Sequence, residues 1–289
     1  MAIVMRLARA SDRSEVERIC ANTWHNWDYI PRYFPQWIRE GGFYVATEGK
    51  RLVGMAKITE LSPGELWLEG LRVDPERRSQ GLGWKISGFI LKQALKSKPI
   101  SLRLATGRRN VHSRRIIRRM GFRLKVSLWG RDGRIPKCSG KPDTFVPDPD
   151  VAFEYIRRTE EYRESRHLLQ HTWQFRTITP ALLAELVEKR RVFAYGANHH
   201  VRGLLIVQPG RYESGRLDLS FIEGDRRALG EFRKQVWVFA QQHRAEHLSG
   251  IARGRCMLRH MGGLRMRPWR TRGHLPWVLV YEYPLARSC

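Results

Sequence analysis

The sequence LWLEGLRVDP at residues 66–75, followed by RSQGLG at residues 78–83, decides the fold of this chain. The first segment is an apolar strand that ends at a proline turn, and the second is a glycine-containing loop that opens a helix. Such a loop directs free backbone N–H groups, at the positive end of a helix dipole, at one point in space. The glycines let the main chain approach a ligand closely. The stretch therefore predicts a pyrophosphate site.

Length and composition limit the class of protein. The chain has 289 residues, which is comfortable for two domains. No apolar run approaches the roughly 18 residues of a membrane span, and the first residues lack a signal-peptide core, so we expect no membrane partner and a cytoplasmic location. The cysteines are too far apart in sequence to indicate a disulfide framework or a zinc site, and no histidines have metal-ligand spacing, so no metal is expected.

The net charge of +25 is the strongest compositional bias. A field this positive attracts polyanions, so nucleic acid has to be considered as a partner. The charge is spread over both halves of the chain rather than collected in one block. We therefore interpret it mainly as an arginine-rich solvated surface, with part of it serving an anionic cofactor, and nucleic acid is not favoured.

The order of the expected elements divides the chain into three parts. Residues 1–130 alternate strands and helices, and residues 131–150 are rich in Pro, Gly and charge, which predicts a linker. Residues 151–289 repeat the pattern weakly. The loop in this half that corresponds to the pyrophosphate loop, Glu223–Arg227, carries acids and no Gly-x-Gly, so it would repel a pyrophosphate. The second half is expected to be a degenerate copy that binds no cofactor.

Two motifs in the first half resemble the GNAT family of N-acetyltransferases. The cofactor signature of that family, Arg/Gln-x-x-Gly-x-Gly/Ala, corresponds to Arg78–Gly83, and the strand end that precedes it corresponds to Val73–Pro75. A second signature, Asn-x-x-Ser/Ala-x-x-x-Tyr-x-x-x-Gly-Phe, corresponds to Asn110–Phe122. The resemblance implies a tandem protein of α/β class with two GNAT-like domains, each a mixed, mostly antiparallel sheet flanked by helices. The first would be catalytic.

The resemblance implies acetyl-coenzyme A (acetyl-CoA) as the cofactor. In this family the loop amides hold the pyrophosphate, the preceding strand bonds the pantetheine arm through its backbone, and the second motif lies near the lower arm. The residues assigned to the cofactor in this way are Leu71, Arg72, Val73, Arg78, Ser79, Gln80, Gly81, Leu82, Gly83, Trp84, Asn110 and Ser113.

The implied reaction is direct acetyl transfer to an amine, which needs a base, an oxyanion donor and an acid. We expect a backbone N–H near Leu71 to be the oxyanion donor and Glu69 to be the base. Simple alternation puts Glu69 on the same face as Leu71 and Val73, although a β-bulge would shift that parity; a structural glutamate is the alternative. The acid departs from the family pattern, because Ile117 replaces its tyrosine and cannot donate a proton.

The acceptor is less constrained than the cofactor. Aromatic residues crowd the region where the family's acceptor pocket is walled, and Trp24, Trp27 and Tyr29 are candidates for it, with core packing as the alternative. Residues 27–37 and 68–73 are similar to a subgroup that includes histidine N-acetyltransferases, which implies a small-molecule primary amine such as a free amino acid. A tandem transferase acting on protein or RNA-linked substrates and a non-catalytic CoA sensor stay open, as does the oligomeric state.

Overall fold

A computed structural model describes residues 2–21, 23, 28–197, 200–211, 214–269 and 277–285. Contacts divide the chain into two compact units. The first contains the residues up to Thr106, Asn110–Leu124 and the residues from Tyr281 onward, and the second contains Gly107–Arg109 and Lys125–Val280. The chain therefore returns to the first unit at its end, whereas the sequence had placed all of residues 151–289 in the second domain.

The first unit is a mostly antiparallel sheet with helices on both faces, as expected for its class. Its elements are β1 (Ile3–Leu7), α1 (Arg13–Ala21), α2 (Ile30–Glu40), β2 (Phe43–Glu48), β3 (Arg51–Ser62), β4 (Glu65–Val73), α3 (Leu82–Lys96), β5 (Ser101–Gly107) and α4 (Val111–Arg119). The strands lie side by side in chain order, antiparallel up to β4, and β5 is parallel to β4.

Apolar clusters on the two faces of this sheet hold the helices. On one face, α1 and α2 bury Val16, Ile19, Phe34 and Trp37 with strand residues such as Phe43 and Met55. On the other face, α3 packs on Ala46 and Val53. Its buried residues recur four apart, which forms one apolar stripe along the helix: Leu82, Ile86, Ile90 and Ala94.

The parallel pair β4 and β5 separates soon after it begins. Glu65–Trp67 pair with Ser101–Arg103, and beyond these residues the two strands are no longer opposite each other. β4 nevertheless continues to Val73 and β5 to Gly107. We call the gap between the two diverging strands the wedge. It leaves one edge of β4 without a neighbouring strand, immediately before the loop that enters α3.

A β-bulge interrupts β4 in the middle of the wedge. Glu69 lies opposite Lys57 and Arg72 lies opposite Met55, so β4 has one residue more than β3 in this interval. Gly70 has a φ of +68° there, a conformation that glycine adopts without strain. Because an extra residue reverses the alternation of a strand, side chains on either side of the bulge change faces relative to a regular strand.

The second unit repeats the same plan around a larger core. Its sheet has the order β6-β12-β11-β10-β9, with β13 beside β6, and β7 and β8 form a separate hairpin. The elements are β6 (Arg123–Arg134), α5 (Pro149–Ile156), α6 (Glu160–Glu164), β7 (Leu168–His171), β8 (Gln174–Thr177), α7 (Pro180–Glu188), β9 (Val192–Ala197), β10 (His200–Pro209), β11 (Arg216–Gly224), α8 (Arg226–Gln242), β12 (His247–Ala252), α9 (Arg255–Gly263), β13 (Arg267–Pro268) and β14 (Val278–Glu282), whose residues from Tyr281 belong to the first unit.

The expected linker needs correction here. The segment 131–150, expected to be a linker, is partly regular structure, because β6 runs to Arg134 and α5 begins at Pro149. The helices α5 and α6 and the hairpin β7–β8 were not predicted. The parallel pair β11 and β12, joined through α8, is paired over Arg216–Asp218 and His247–Ser249, so this unit has a wedge of its own.

Two glycine substitutions in the first unit are expected to change stability in opposite directions. Gly70→Ala should lower the free energy of unfolding by at least about 1 kcal/mol, because its Cβ would lie 2.9 Å from the Trp37 ring and its φ is positive. Gly88→Ala is the matched control inside α3, with nothing within 4 Å of the added Cβ. It should raise that free energy by about 0.5–1 kcal/mol. Urea unfolding followed by circular dichroism measures the free energy of unfolding of both variants. Equal changes in the two variants would contradict the bulge conformation described for Gly70.

Candidate functional site

The end of β4 is held by a buried carboxylate. Asp74 is 1% exposed, and its carboxylate accepts hydrogen bonds from Arg18 at 2.9 Å and from Arg51 at 3.0 Å. The same carboxylate accepts from the backbone N–H of Glu76. An open cleft of about 510 Å³ lies here, but these ion pairs line it. We therefore assign Asp74 to positioning the turn that leads into the glycine loop.

The glycine loop presents unpaired backbone N–H groups. Ser79 and Gly81 have φ angles of +63° and +75°, and Gly81 is the N-cap of α3, which has no side-chain cap. The first bond inside the helix runs from Lys85 N to Gly81 O, so the N–H groups of residues 82–84 have no acceptor in the helix. Successive N–H groups in such a conformation form an anion-binding concavity.

The predicted loop residues lie together around this concavity. Arg78, Ser79, Gln80 and Gly81 are exposed, whereas Leu82 is buried in the sheet face below. Among the described residues, Arg78 has no ion-pair partner, so its positive charge is available beside the N–H groups. Free backbone N–H groups at a helix N-terminus, with a cation beside them, are suited to a pyrophosphate.

The second predicted motif lies against the first. The Oδ1 atom of Asn110 accepts the Ser113 N–H at 3.1 Å and so caps α4. A Cβ on Gly83 would be 3.2 Å from the Ile116 Cδ1 atom, so α3 and α4 approach closely where the glycine motif requires it. Ile117 is 5% exposed and packs in the interior. The position of the family's tyrosine is therefore an apolar core position here.

The bulge separates Glu69 from the other β4 residues of the site. Leu68, Leu71 and Val73 pack on the α3 face. Glu69 lies opposite Lys57, whose ammonium group is 3.5 Å from Glu40 of α2. The expectation that Glu69 shares a face with Leu71 and Val73 is therefore wrong. The physical reason is the extra residue at Gly70, which turns Glu69 toward the α1 and α2 face.

A hydroxyl group on the neighbouring strand β3 orients the Glu69 carboxylate. Thr59 Oγ1 on β3 donates to Glu69 Oε1 at 2.5 Å; Thr59 is buried and Glu69 is half-buried. One carboxylate oxygen is thereby fixed by a neighbouring strand. A carboxylate beside the wedge, held by a strand rather than a loop, is suited to proton transfer.

Arg72 turns away from the expected cofactor side. Its guanidinium donates to both oxygens of Asp28, from Nε at 2.6 Å and from Nη2 at 3.1 Å. The side chains are 12% and 2% exposed, respectively. The Arg72 side chain therefore cannot reach a ligand on the α3 side of the strand, and only its main chain could contact one there. Sequence reasoning missed Asp28, although a charged residue inside an apolar strand is itself a signal that an acidic partner is near.

The ion pair of Asp28 and Arg72 lies beside the Tyr29 ring. Burial would raise the pKa of Asp28, but the hydrogen bonds from Arg72 and Thr23 hold it below its usual value. The Arg72 guanidinium lies 5.7 Å from the Tyr29 ring centroid. Burial, with the nearby Glu69 carboxylate, raises the pKa of Tyr29, so its hydroxyl stays protonated at neutral pH. Tyr29 thus lies near Glu69, whereas Trp24 and Trp27 are outside the described residues.

The corresponding helix of the second unit begins differently. Asp225 is the N-cap of α8 and accepts from Arg227 N and Ala228 N at 2.9 Å each. The bond from Ala228 N is the main cause of a pKa below the usual value for Asp225. A negative charge therefore occupies the place where α3 presents free N–H groups.

Side chains of α5 and α6 reach both strands of the second wedge. Tyr155 donates to Glu223 O on β11 at 3.4 Å. Beyond β12, the Glu161 carboxylate accepts from Gly254 N at 2.5 Å and from Arg253 N at 3.1 Å. Burial raises the pKa of Glu161 to about 8, against the opposing effect of these N–H groups. The chain itself therefore satisfies backbone groups that remain available in the first unit.

No group of three or more His, Cys, Asp or Glu side chains within the described ranges is arranged to hold a metal ion. No helix among those described is long and apolar enough to cross a membrane.

Comparisons with known proteins agree with this geometry. Residues 11–122 match the model of the acetyltransferase (GNAT) family. No curated protein sequence is similar enough to count as a match. A tandem GNAT protein from the clavulanic acid biosynthesis pathway is similar over 100% of both chains, with a TM-score of 0.60 and 14% identity.

Two further solved structures show the same fold. A GCN5-related N-acetyltransferase from Sphaerobacter thermophilus has a TM-score of 0.66 and 13% identity, over 97% of this chain and 95% of its own. A structure from Thermoplasma acidophilum has a TM-score of 0.60 and 20% identity, over 97% and 99%. Together with the family match, the motifs and the wedge lead to one conclusion: residues 11–122 form a GNAT acetyltransferase domain, in a chain that has the fold of a tandem GNAT protein.

Proposed function

We propose that this protein transfers an acetyl group from acetyl-CoA to the primary amine of a small molecule, in its first unit. The observation that carries the proposal is the uncapped N-terminus of α3 beside an open wedge, with Glu69 fixed on the other face of β4. The first two features provide a place for an extended anionic cofactor. The third provides a base on the side from which an amine can approach.

The chain's own groups fit the cofactor in order. The N–H groups of residues 82–84 and Arg78 would hold the pyrophosphate, with Ser79, Gln80 and Gly81 shaping the loop. The edge of β4 at residues 71–73, which has no neighbouring strand, would bond the pantetheine arm as such a strand would. Ser113 and the amide nitrogen of Asn110 would lie beside that arm. Bound acetyl-CoA would supply the acetyl thioester.

The residues on the acceptor side would carry out the proton transfers. The Glu69 carboxylate would take a proton from the ammonium group of the acceptor, directly or through one water molecule. The neutral amine would then attack the thioester carbonyl, and the C–S bond would break as the C–N bond forms. The backbone N–H near Leu71 would stabilise the negative charge that develops on the carbonyl oxygen. Ile117 has no proton to donate, so we expect solvent to protonate the leaving CoA thiolate.

The acceptor is expected to be a small amine, and a free amino acid such as histidine is the finer form of this proposal. Tyr29 and the pair of Asp28 and Arg72 border Glu69 and would restrict the size of the acceptor. The buried hydrogen bonds of this pair make that wall rigid, because breaking them would leave a buried charge unpaired.

An assay of coenzyme A release tests the acceptor class. We expect acetyl-CoA turnover with members of a panel of free amino acids, polyamines and aminoglycosides, and little with peptides or aminoacylated RNA. Acetylated product identified by mass spectrometry confirms the amine. Turnover restricted to peptides or aminoacylated RNA would overturn the small-molecule assignment.

Gly81→Asp is expected to weaken cofactor binding, because it places a carboxylate at the N-cap of α3. A carboxylate near the pyrophosphate should weaken acetyl-CoA binding at least about tenfold, because it repels the ligand. Gly81→Asn has the same shape without the charge, and both residues tolerate positive φ. Calorimetry should give one acetyl-CoA per wild-type chain. Two sites per chain, or equal losses in the two variants, would contradict the proposal.

Glu69→Gln is expected to lower kcat about 10²- to 10⁴-fold and to leave the KM for acetyl-CoA unchanged. The variant removes the proton acceptor and keeps the hydrogen bond from Thr59. Raising the pH should recover part of the rate, because more of the amine is then neutral without a base. Glu17→Gln, on exposed α1, is the control. Wild-type turnover in Glu69→Gln would remove Glu69 as the base.

A further inference from the structure

We propose that Arg119 and Trp84 recognise the 3′-phosphorylated adenosine end of CoA, so that the donor is a free CoA thioester rather than pantetheine attached to a carrier protein. The inference rests on the proposed use of acetyl-CoA. It concerns which part of the donor is read, and which donors are therefore excluded.

The two residues form a contact next to the pyrophosphate loop. Trp84 lies in the first turn of α3, three residues after the N-cap Gly81, and is 39% exposed. The Arg119 guanidinium carbon lies 4.9 Å from the Trp84 ring centroid. α3 and α4 are held together below this contact by Gly83 and Ile116. A ligand whose pyrophosphate occupies the loop would therefore extend past an aromatic ring and a cation.

The charge on this part of α4 is not neutralised by the protein. Arg115 lies one turn before Arg119, on the same side of the helix. Both are exposed, and neither has an ion-pair partner within the described ranges. Planar guanidinium groups bind a phosphate through two N–H groups at once. Uncompensated arginines at this position are therefore suited to a phosphate group that lies beyond the pyrophosphate.

The Trp84 ring adds a surface for the base. An exposed indole stacks with any purine. Stacking acts on the adenine whether or not the ribose is phosphorylated, whereas Arg119 acts on the phosphate. The two residues should therefore have separable effects on binding.

The second unit lacks the residues that correspond to Trp84 and Arg119, which supports their assignment to the cofactor. Counted from the N-caps Asp225 and Gly254, the position of Trp84 is taken by Ala228, which is fully buried, and that of Arg119 by Gly263. Both recognition groups are thus missing in the unit whose loop is blocked by Asp225. The aromatic ring and the cation occur where the N–H groups are free.

Calorimetry with CoA and with 3′-dephospho-CoA tests the inference. Wild-type protein should bind CoA about tenfold more tightly than 3′-dephospho-CoA. Arg119→Ala should weaken CoA binding by a similar factor and leave 3′-dephospho-CoA binding unchanged, so that the preference disappears. Arg118→Ala, an adjacent exposed arginine, is the matched control and should keep the preference. Trp84→Ala should weaken both ligands equally.

The possible failures are distinguishable. A preference that survives in Arg119→Ala, or an equal loss in Arg118→Ala, overturns the role of Arg119. Equal binding of the two ligands by wild-type protein overturns phosphate recognition altogether. Binding of CoA with the expected preference but without acetyl transfer to any amine would refute the proposed function and leave the inference standing. Circular dichroism of each variant checks that α4 is intact.

Discussion

The structure depends on a parallel pair of strands that stop pairing before either strand ends. β4 and β5 are opposite each other only at Glu65–Trp67 and Ser101–Arg103, yet both strands continue, and backbone polar groups must find partners. The second unit has the same geometry and satisfies part of it from its own chain, through Tyr155 and Glu161. A shared constraint thus has two solutions, one that uses the protein itself and one that leaves room for a ligand.

The bulge at Gly70 gives β4 two separate tasks. After it, Leu71 and Val73 pack on the α3 face, while Arg72 reaches Asp28 on the opposite face. Before it, Glu69 already points to that opposite face. In the proposed function, one residue of extra length lets a single strand present main-chain groups to the donor and side chains to the acceptor. A regular strand would turn one of these sets to the wrong side.

The parts that sequence reasoning predicted are those with local signals. The bounds of α3 and α8 follow from their apolar stripes and flanking loops, and the glycine loop is visible because only certain residues adopt its backbone. The face of Glu69 was mistaken, because a bulge depends on pairing with β3, although an isolated glycine in a strand is a hint of one. Asp28 and the role of Tyr155 depend on contacts between segments far apart in sequence, which no local pattern encodes.

The return of the chain to the first unit links folding to synthesis. Glu282 bonds Arg103 at 2.5 Å, Tyr283 N donates to Leu102 O, and the Tyr283 ring packs edge-on against Phe122. Contacts of such long sequence separation form slowly. The first unit therefore waits for residues that the ribosome adds long after Phe122. A gene fragment ending near residue 130 would lack those residues, and domain shuffling by a single crossover would separate the site from part of its own support.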